Sequence, residues 1–474
     1  MSTYVEFQVN VTTARREGRN FCSVITQHDG QLDPVDVYAS LLRSSTSPVC
    51  LLEGAGPDKK ARFSFVCFDA EPEPVLLNES SDLTSFNLAL RQFSPPSHDL
   101  LPFIGGMVGY FGHESVSLIE PTVAPHAVTA FNLPKACFHV FKQVIAFDHQ
   151  DGVMYRIANV PIPAPGEEFE AYTRAHAKLA GAVKTSTHPG YDRVNTASIT
   201  SNTSQGEYFA TVREAKKFIR KGDVFQVVLS QRFSVPYEGD GLALFRVLRE
   251  INPSPYMFHM RFGESCRGMC LIGASPEVMV EVMAGHMRIR PIAGTRPRGK
   301  DLAEDIANAQ DLITNQKELA EHRMLVDLAR NDVGKWCEAD SITIPTLMQV
   351  ENYSHVMHIV SEVCGKPRLG VTPLETVIGS LPAGTLSGAP KVRALQIIAE
   401  LEKSERGPYG GAFGWITDSA LDTCIIIRSA VLVDGTLSWQ TGGGIVADST
   451  EEGEYNETLQ KARAIRVALE KIGV

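Results

Sequence analysis

The chain of 474 residues lacks any surplus of positive charge: 55 acidic residues outnumber 45 basic ones, leaving a net charge of −10. That balance excludes a general affinity for nucleic acid or anionic lipid and requires an anionic substrate to be met by a local cluster of donors or a metal. No apolar run approaches the ~18 residues of a membrane span. The opening MSTYVEFQVN has neither a basic nor an apolar export region, so the cytoplasm is the expected compartment. Nine cysteines are scattered without a framework, and the closest pair, Cys266 and Cys270, lacks a second pair at zinc-ligand spacing. Reduced, partly buried thiols are expected. Two nucleotide motifs are also missing. The glycines of Gly105–Gly112 do not keep the dinucleotide G-x-G-x-x-G spacing, and Gly384 and Gly388 enclose too few residues for a phosphate P-loop.

What is present is a globular composition, 43% hydrophobic and 21% charged, enough for a large core. Residues 1–183 read as strands and short helices, with Arg62–Phe68 and Val140–Phe147 rich in aromatic and β-branched residues. Residues 184–204 are polar and almost free of large apolar groups, the composition of a linker. A third stretch, 205–474, opens with a helix from Tyr208 to Lys221, stopped by Gly222, and a strand from Phe225 to Arg232. The irregular order of elements predicts an α+β fold rather than a doubly wound sheet.

Carboxylates recur where apolar residues are expected. In the helical stretch Lys317–Arg330, Glu318, Glu321, Leu325 and Leu328 share a face. In the last helix, opened by a Ser449/Glu452 capping box, Glu454, Glu457, Lys461, Ala464 and Ala468 share another. Spacing alone leaves two readings open. Either Glu318 and Glu321 sit at a solvent edge, paired with Lys317 or His322, and Glu454 and Glu457 belong to an exposed acidic first turn favoured by the helix dipole, or the pairs form an inward-facing site for a hard cation such as Mg²⁺. Arg428 interrupts an apolar, period-2 strand, Thr423–Leu432, as an edge charge or a carboxylate clamp. Thr441-Gly-Gly-Gly-Ile445 reads as a tight turn able to present amides. His358, with His355 three residues earlier, is a core histidine or a general base.

Together Gly273–Glu277, Pro291–Gly299, Glu318–Lys335, Leu381–Lys391 and Gly442–Lys461 resemble, in order, the motifs of the chorismate-binding enzymes, and in subtype the large subunit (component I) of anthranilate synthases. The resemblance implies two antiparallel β-sheets forming a sandwich flanked by helices. It implies a Mg²⁺ site at Glu321 and Glu457, with Glu318 and Glu454 beside them. Gly294, Thr295, Tyr409, Arg428, Gly442, Gly443, Gly444 and Lys461 match positions that hold chorismate. Glu277 matches the acid beside the departing C4 hydroxyl, His358 the histidine of the elimination step, and Thr385 a further active-site group. Two positions separate subfamilies. Gln226 stands where isochorismate and salicylate synthases have a water-activating lysine, and Ala293 where many aminodeoxychorismate synthases have a nucleophilic lysine. The expected reaction is therefore amination of chorismate with loss of pyruvate, ammonia coming from a separate glutamine amidotransferase subunit or from solution. The rivals are an enzyme stopping at aminodeoxyisochorismate, an aminodeoxychorismate synthase and a catalytically silent sensor. An effector site for tryptophan is implied at Glu53 and at Asn252, Pro253, Ser254, Pro255, Tyr256 and Met257. Feedback-inhibited relatives resemble one another in Leu-Leu-Glu-Ser, whereas this chain reads Leu51-Leu-Glu-Gly54. Weak tryptophan inhibition, strengthened by Gly54→Ser, is the expectation.

Overall fold

The computed structural model describes residues 2–30, 32–54, 61–80, 82–126, 128–188, 192–353 and 356–473. Its organising element is the strand Ala136–Asp148, ACFHVFKQVIAFD, in which aromatic and β-branched residues are buried on both faces. Its first half pairs with Gly106–Phe111 and Val75–Leu77, its second half with Phe63–Ala70 and Val153–Pro161. One long strand thus belongs to two sheets.

The first sheet runs, by neighbours, from Gln226–Glu238 through Thr436–Ile445, Ser429–Val433, Cys270–Ser275, Tyr256–Arg261, Val49–Glu53 and Phe63–Ala70 to the shared strand, then Val153–Pro161 and Phe21–Asp29. The second runs from the shared strand through Gly106–Phe111, Ala412–Ile416, Leu421–Ile425, Val278–Met283 and His286–Ile289 to Val356–Gly365, flanked by Ile292–Pro297 and Thr343–Asn352. Every one of these pairings is antiparallel.

A core that includes Phe65, Tyr110, Phe141, Phe258, Phe413 and Trp415 draws on both sheets and fills the space between them. The outer face of the first sheet is covered by the helices Pro34–Ser44, Leu242–Ile251 and Glu451–Ile472, and that of the second by Asp82–Phe93, Gln316–Trp336 and Pro373–Ser380. This is the expected helix-flanked sandwich. Strands from either side of the polar segment 184–204 pair with one another, Val49–Glu53 with Tyr256–Arg261 and Gly106–Phe111 with Ala412–Ile416. Within that segment Arg193–Val194 and Thr200–Ser201 add short pairings to Gln226–Glu238.

The helix beginning near Tyr208 spans Gln205–Lys221, with a Ser204/Glu207 capping box and left-handed Gly222 at its end. At Thr423–Leu432 the expectation fails. Leu421–Ile425 lies in the second sheet and Ser429–Val433 in the first, and between them Arg428 takes φ +53°. Both halves are largely buried and apolar, and a continuous apolar run does not register a change of sheet.

Candidate active site

The chain crosses between the sheets a second time beside Arg428. Cys270–Ser275 belongs to the first sheet and Val278–Met283 to the second, so Pro276 and Glu277 form the step. Pro276 has no N–H to extend a ladder. The Glu277 carbonyl accepts from Ile425 N at 3.0 Å, and the Arg428 carbonyl from Ala274 N at 3.2 Å, which locks the two crossings together. Glu277 is only 8% exposed. Burial pushes its carboxyl up to about 8, against the pull of a hydrogen bond from Thr385 and the charge of Lys461. That hydrogen bond runs from Thr385 Oγ1 to Glu277 Oε1 at 3.1 Å. Thr385 stands on the short turn Gly384–Leu386, seated so closely on the Gln316–Trp336 helix that a Cβ on Gly384 would lie 2.0 Å from Leu328 Cδ2. An opening of about 390 Å³ reaches Glu277 and Thr385 from this side.

Gly442–Gly444 form no turn. They lie in the strand Thr436–Ile445, opposite Ser230, Leu229 and Val228. Crowding explains the three glycines. An added Cβ would lie 3.1 Å from the Tyr409 hydroxyl at Gly442, 2.7 Å from Glu454 Oε2 at Gly443 and 2.2 Å from Gln226 Nε2 at Gly444. Pairing with the neighbouring strand Ser429–Val433 ends at Trp439, leaving the glycine stretch an open edge on that side. Lys461 Nζ donates to Gly442 O at 2.8 Å and pairs with Glu457 Oε1 at 2.7 Å. Arg428 Nη1 donates to the Lys461 carbonyl at 2.9 Å.

The carboxylates of the two helices stand near enough for the charge of Glu457 to act on Glu321. Burial, then the charges of Glu318 and Glu457, raise the Glu321 carboxyl. Burial likewise raises Glu454, against a hydrogen bond from Ser449. Ser449 is not the helix cap: Thr450 accepts from Gly453 N, and Ser449 Oγ instead donates to Glu454 Oε1 at 2.5 Å. Glu318 pairs with Arg296 at 3.0 Å, not with Lys317 or His322, whose ring meets Ser361. The buried ridge of the last helix passes through Glu454, Thr458, Ala462 and Ile465, leaving Glu457 exposed at its border. Among the described residues no three His, Cys, Asp or Glu side chains converge closely enough to hold a metal unaided. The donor set nevertheless suits Mg²⁺, which needs only one or two carboxylates beside water and substrate oxygens. Glu454 Oε2 is buried without a hydrogen-bond partner, and like charges raise both Glu321 and Glu454.

His358 Nδ1 faces the Gly294 carbonyl at 2.8 Å and Thr295 Oγ1 at 3.2 Å, and burial depresses its basicity. Its tautomer is therefore set with Nδ1 as donor to the carbonyl. Gly294 takes φ +64° against Leu312 and Glu318. His355 lies outside the described residues. Glu277, Thr385, Tyr409, Arg428, Lys461, the glycine edge and the four glutamates are thus linked by contact or charge, and the His358 group joins them through Gly294 and Glu318.

Most of the expected effector residues line two adjoining openings. One, of about 490 Å³, includes Glu53, Gly54, Pro255, Tyr256 and Met257 with Phe63, Trp415 and Asp422; the other, of about 800 Å³, includes Glu53, Pro253, Arg246 and Arg249. Asn252 and Ser254 line neither: Asn252 closes the helix Leu242–Ile251, and Ser254 Oγ turns back to its carbonyl. A Cβ on Gly54 would lie 2.6 Å from Pro255 O and 2.7 Å from Ala61 Cβ, so the expected gain from Gly54→Ser does not survive the geometry.

Residues 58–467 match the model of the chorismate binding enzyme family. The chain is 42% identical to anthranilate synthase component 1 of Thermus thermophilus over 92% of its length and 95% of that protein. Identity to the Bacillus subtilis anthranilate synthase component 1 is 39%, over 77% of this chain and 73% of the relative. The solved anthranilate synthase component I of Streptococcus pneumoniae superposes with a TM-score of 0.75 at 32% identity, covering 86% of this chain and 92% of that one. A menaquinone-specific isochorismate synthase from Escherichia coli shares the fold, with a TM-score of 0.73 at 17% identity. The protein belongs to the chorismate-binding enzymes. Within that family it stands with the anthranilate synthase large subunits.

Proposed function

We propose that the chain catalyses amination of chorismate and expulsion of pyruvate, the reaction of an anthranilate synthase large subunit. The observation that carries this reading is the buried carboxyl of Glu277 at the sheet crossing, bonded by Thr385 and under the charge of Lys461, which in turn donates to the glycine edge that Gln226 abuts. A carboxyl raised to about 8 holds its proton at neutral pH and can give it up in the transition state.

In this reading Arg428, Tyr409 and Lys461, with the open edge at Gly442–Gly444 and with Gly294 and Thr295, hold the two carboxylates and the ring. Glu321 and Glu457, with Glu318 and Glu454 beside them, would hold Mg²⁺. An ion held there would supply charge to neutralise the ring carboxylate and so ease the leaving of the C4 hydroxyl. Glu277 donates its proton to that hydroxyl, steadied by Thr385, and water departs as ammonia adds at C2. The proton shed by the new ammonium restores Glu277. His358 serves the elimination of pyruvate: its Nδ1–H is tied to the Gly294 carbonyl, which leaves Nε2 as the basic atom. Gln226 cannot act as a base, so the nucleophile is an amine rather than activated water.

Ammonia comes from a partner amidotransferase, in keeping with the component naming of the relatives, or from solution. The openings around Glu53, Pro253 and Tyr256 take tryptophan as an effector. Among the described residues no helix is long and apolar enough to cross a membrane, and the cytoplasm is the proposed compartment. The test supplies chorismate, Mg²⁺ and ¹⁵N-ammonium in ¹⁸O-water. The product should carry ¹⁵N and no ¹⁸O at the ring, and ¹⁸O on the ring would overturn the reading.

A further inference from the structure

The segment after the helix Lys391–Leu401 reads in sequence as a polar surface turn, Lys403-Ser-Glu-Arg-Gly-Pro408. Arg406 is instead fully buried, one of the largest interior side chains of the molecule. All three of its guanidinium nitrogens donate. Nε and Nη2 donate to the two oxygens of Glu402 at 2.8 and 2.6 Å, Nη1 to the Leu386 carbonyl at 2.7 Å and Nη2 to the Val228 carbonyl at 2.8 Å. The same Glu402 oxygen accepts from both N and Oγ of Ser230, at 2.9 and 2.7 Å. The guanidinium carbon also sits over the Tyr409 ring, 5.8 Å from its centre.

Each of these partners adjoins the site. Leu386 follows Thr385 in the same turn. Val228 and Ser230 stand opposite Gly444 and Gly442. One ion pair therefore ties together the turn that carries Thr385, the strand that backs the glycine edge, and the face of Tyr409. Glu114 clamps the segment from the other half of the chain, accepting from the backbone N–H groups of Arg406 and Gly407 at 2.8 and 3.0 Å. A buried ion pair is weak evidence for stability, because an apolar pair of similar volume often packs as well or better. The fork geometry of Arg, meeting three acceptor groups at once, is what an apolar pair could not supply.

We propose that Arg406, held by Glu402, is a positioning residue that seats Thr385 against Glu277 and aligns the strand behind the glycine edge. This rests on the reading of Glu277 as proton donor, so the test needs one measurement that does not depend on turnover.

Three proteins are compared with the unmodified chain: Arg406→Lys, the apolar pair Arg406→Met with Glu402→Leu, and Thr385→Val as the reference for a lost hydroxyl. In each, the Glu277 carboxyl is titrated by NMR in ¹³C-labelled, ligand-free protein, and kcat and KM for chorismate are measured. The other charged group facing Glu277 is Lys461, with Arg290 and Asp332 lining the opening on its far side; none of them bonds to Arg406 or Glu402. The expected result is that all three variants titrate Glu277 higher than the unmodified chain, since the Thr385 bond lowers it. The apolar pair should keep the melting temperature yet lose kcat by roughly tenfold or more, with KM changed by less than about threefold, as for a misplaced catalytic group. An apolar pair, or a Lys variant, in which Glu277 titrates as in the unmodified chain would overturn the proposal, whatever the activity. An unmodified chain that forms no anthranilate while the titrations still move would refute the functional reading and leave the positioning role standing.

Discussion

Replacing Glu277 by Gln should lower activity and raise stability, the second in a pH-dependent way that a solvent-exposed carboxylate would not show. The amide keeps the shape of the side chain and its contact with Thr385, but it can neither give up a proton nor ionise. In the folded chain burial raises the carboxyl from 4.5 to about 8. Between those values the unfolded chain has released a proton that the folded chain retains, so this group's contribution to stability falls as pH rises and is lost above about 8. At about 1.4 kcal/mol per pH unit, the full loss is on the order of 5 kcal/mol. The Gln variant does not carry that loss. Urea unfolding at pH 5 and pH 9 should therefore show the two proteins close together at the lower pH. At the higher pH the variant should be the more stable by several kcal/mol. In parallel, kcat/KM should fall by roughly 10²- to 10⁴-fold, the usual contribution of a general acid. Equal pH dependence of stability in the two proteins, or near-normal turnover by the variant, would refute the assignment.

Glu321→Gln and Glu457→Gln should each cut turnover by at least about tenfold and weaken Mg²⁺ binding by calorimetry, with far-ultraviolet circular dichroism unchanged, since the two side chains carry little of the packing. Near-normal Mg²⁺ dependence in either variant would return that glutamate to a solvated role. Gly443→Ala places a methyl 2.7 Å from Glu454 Oε2, and displacement of the carboxylate should raise the Mg²⁺ concentration for half-maximal rate about tenfold or more. Tryptophan should inhibit weakly, and Gly54→Ser should leave it weak or weaken it further, because the new Cβ meets the Pro255 carbonyl at 2.6 Å. A titration showing tight inhibition of the Ser variant would contradict this.

The fold was legible wherever local chemistry and tertiary burial agree. Gly222 marks the end of a helix whatever it packs against, although the Ser204/Glu207 box starts that helix ahead of the expected Tyr208, and the aromatic run in Ala136–Asp148 marks a strand buried on both faces. The carboxylate pairs stood out because Glu in line with Leu325 conflicts with a simple apolar stripe. Other features carried no such signal. The crossings at Glu277 and Arg428 interrupt buried, mostly apolar runs by one or two residues, which leaves no periodicity by which to see a change of sheet. Three glycines in sequence resemble a turn, and only the side chains of Tyr409, Glu454 and Gln226 explain why a strand needs them. The cap at Thr450 rather than Ser449 follows from Glu454 being buried, a tertiary fact. Arg406 and Glu402 look like surface charge because the carbonyls that accept from Arg406, on Leu386 and Val228, and the Ser230 donors to Glu402 lie about 20 to about 180 residues away along the chain.

The central claim is that this site both aminates chorismate and expels pyruvate. It is tested most directly by quantifying products from the purified chain with chorismate, ammonium and Mg²⁺ at mildly alkaline pH. Anthranilate and pyruvate should appear in equal amounts and only while the metal is unchelated. Chorismate consumed into a non-aromatic amino compound, without pyruvate, would contradict the account.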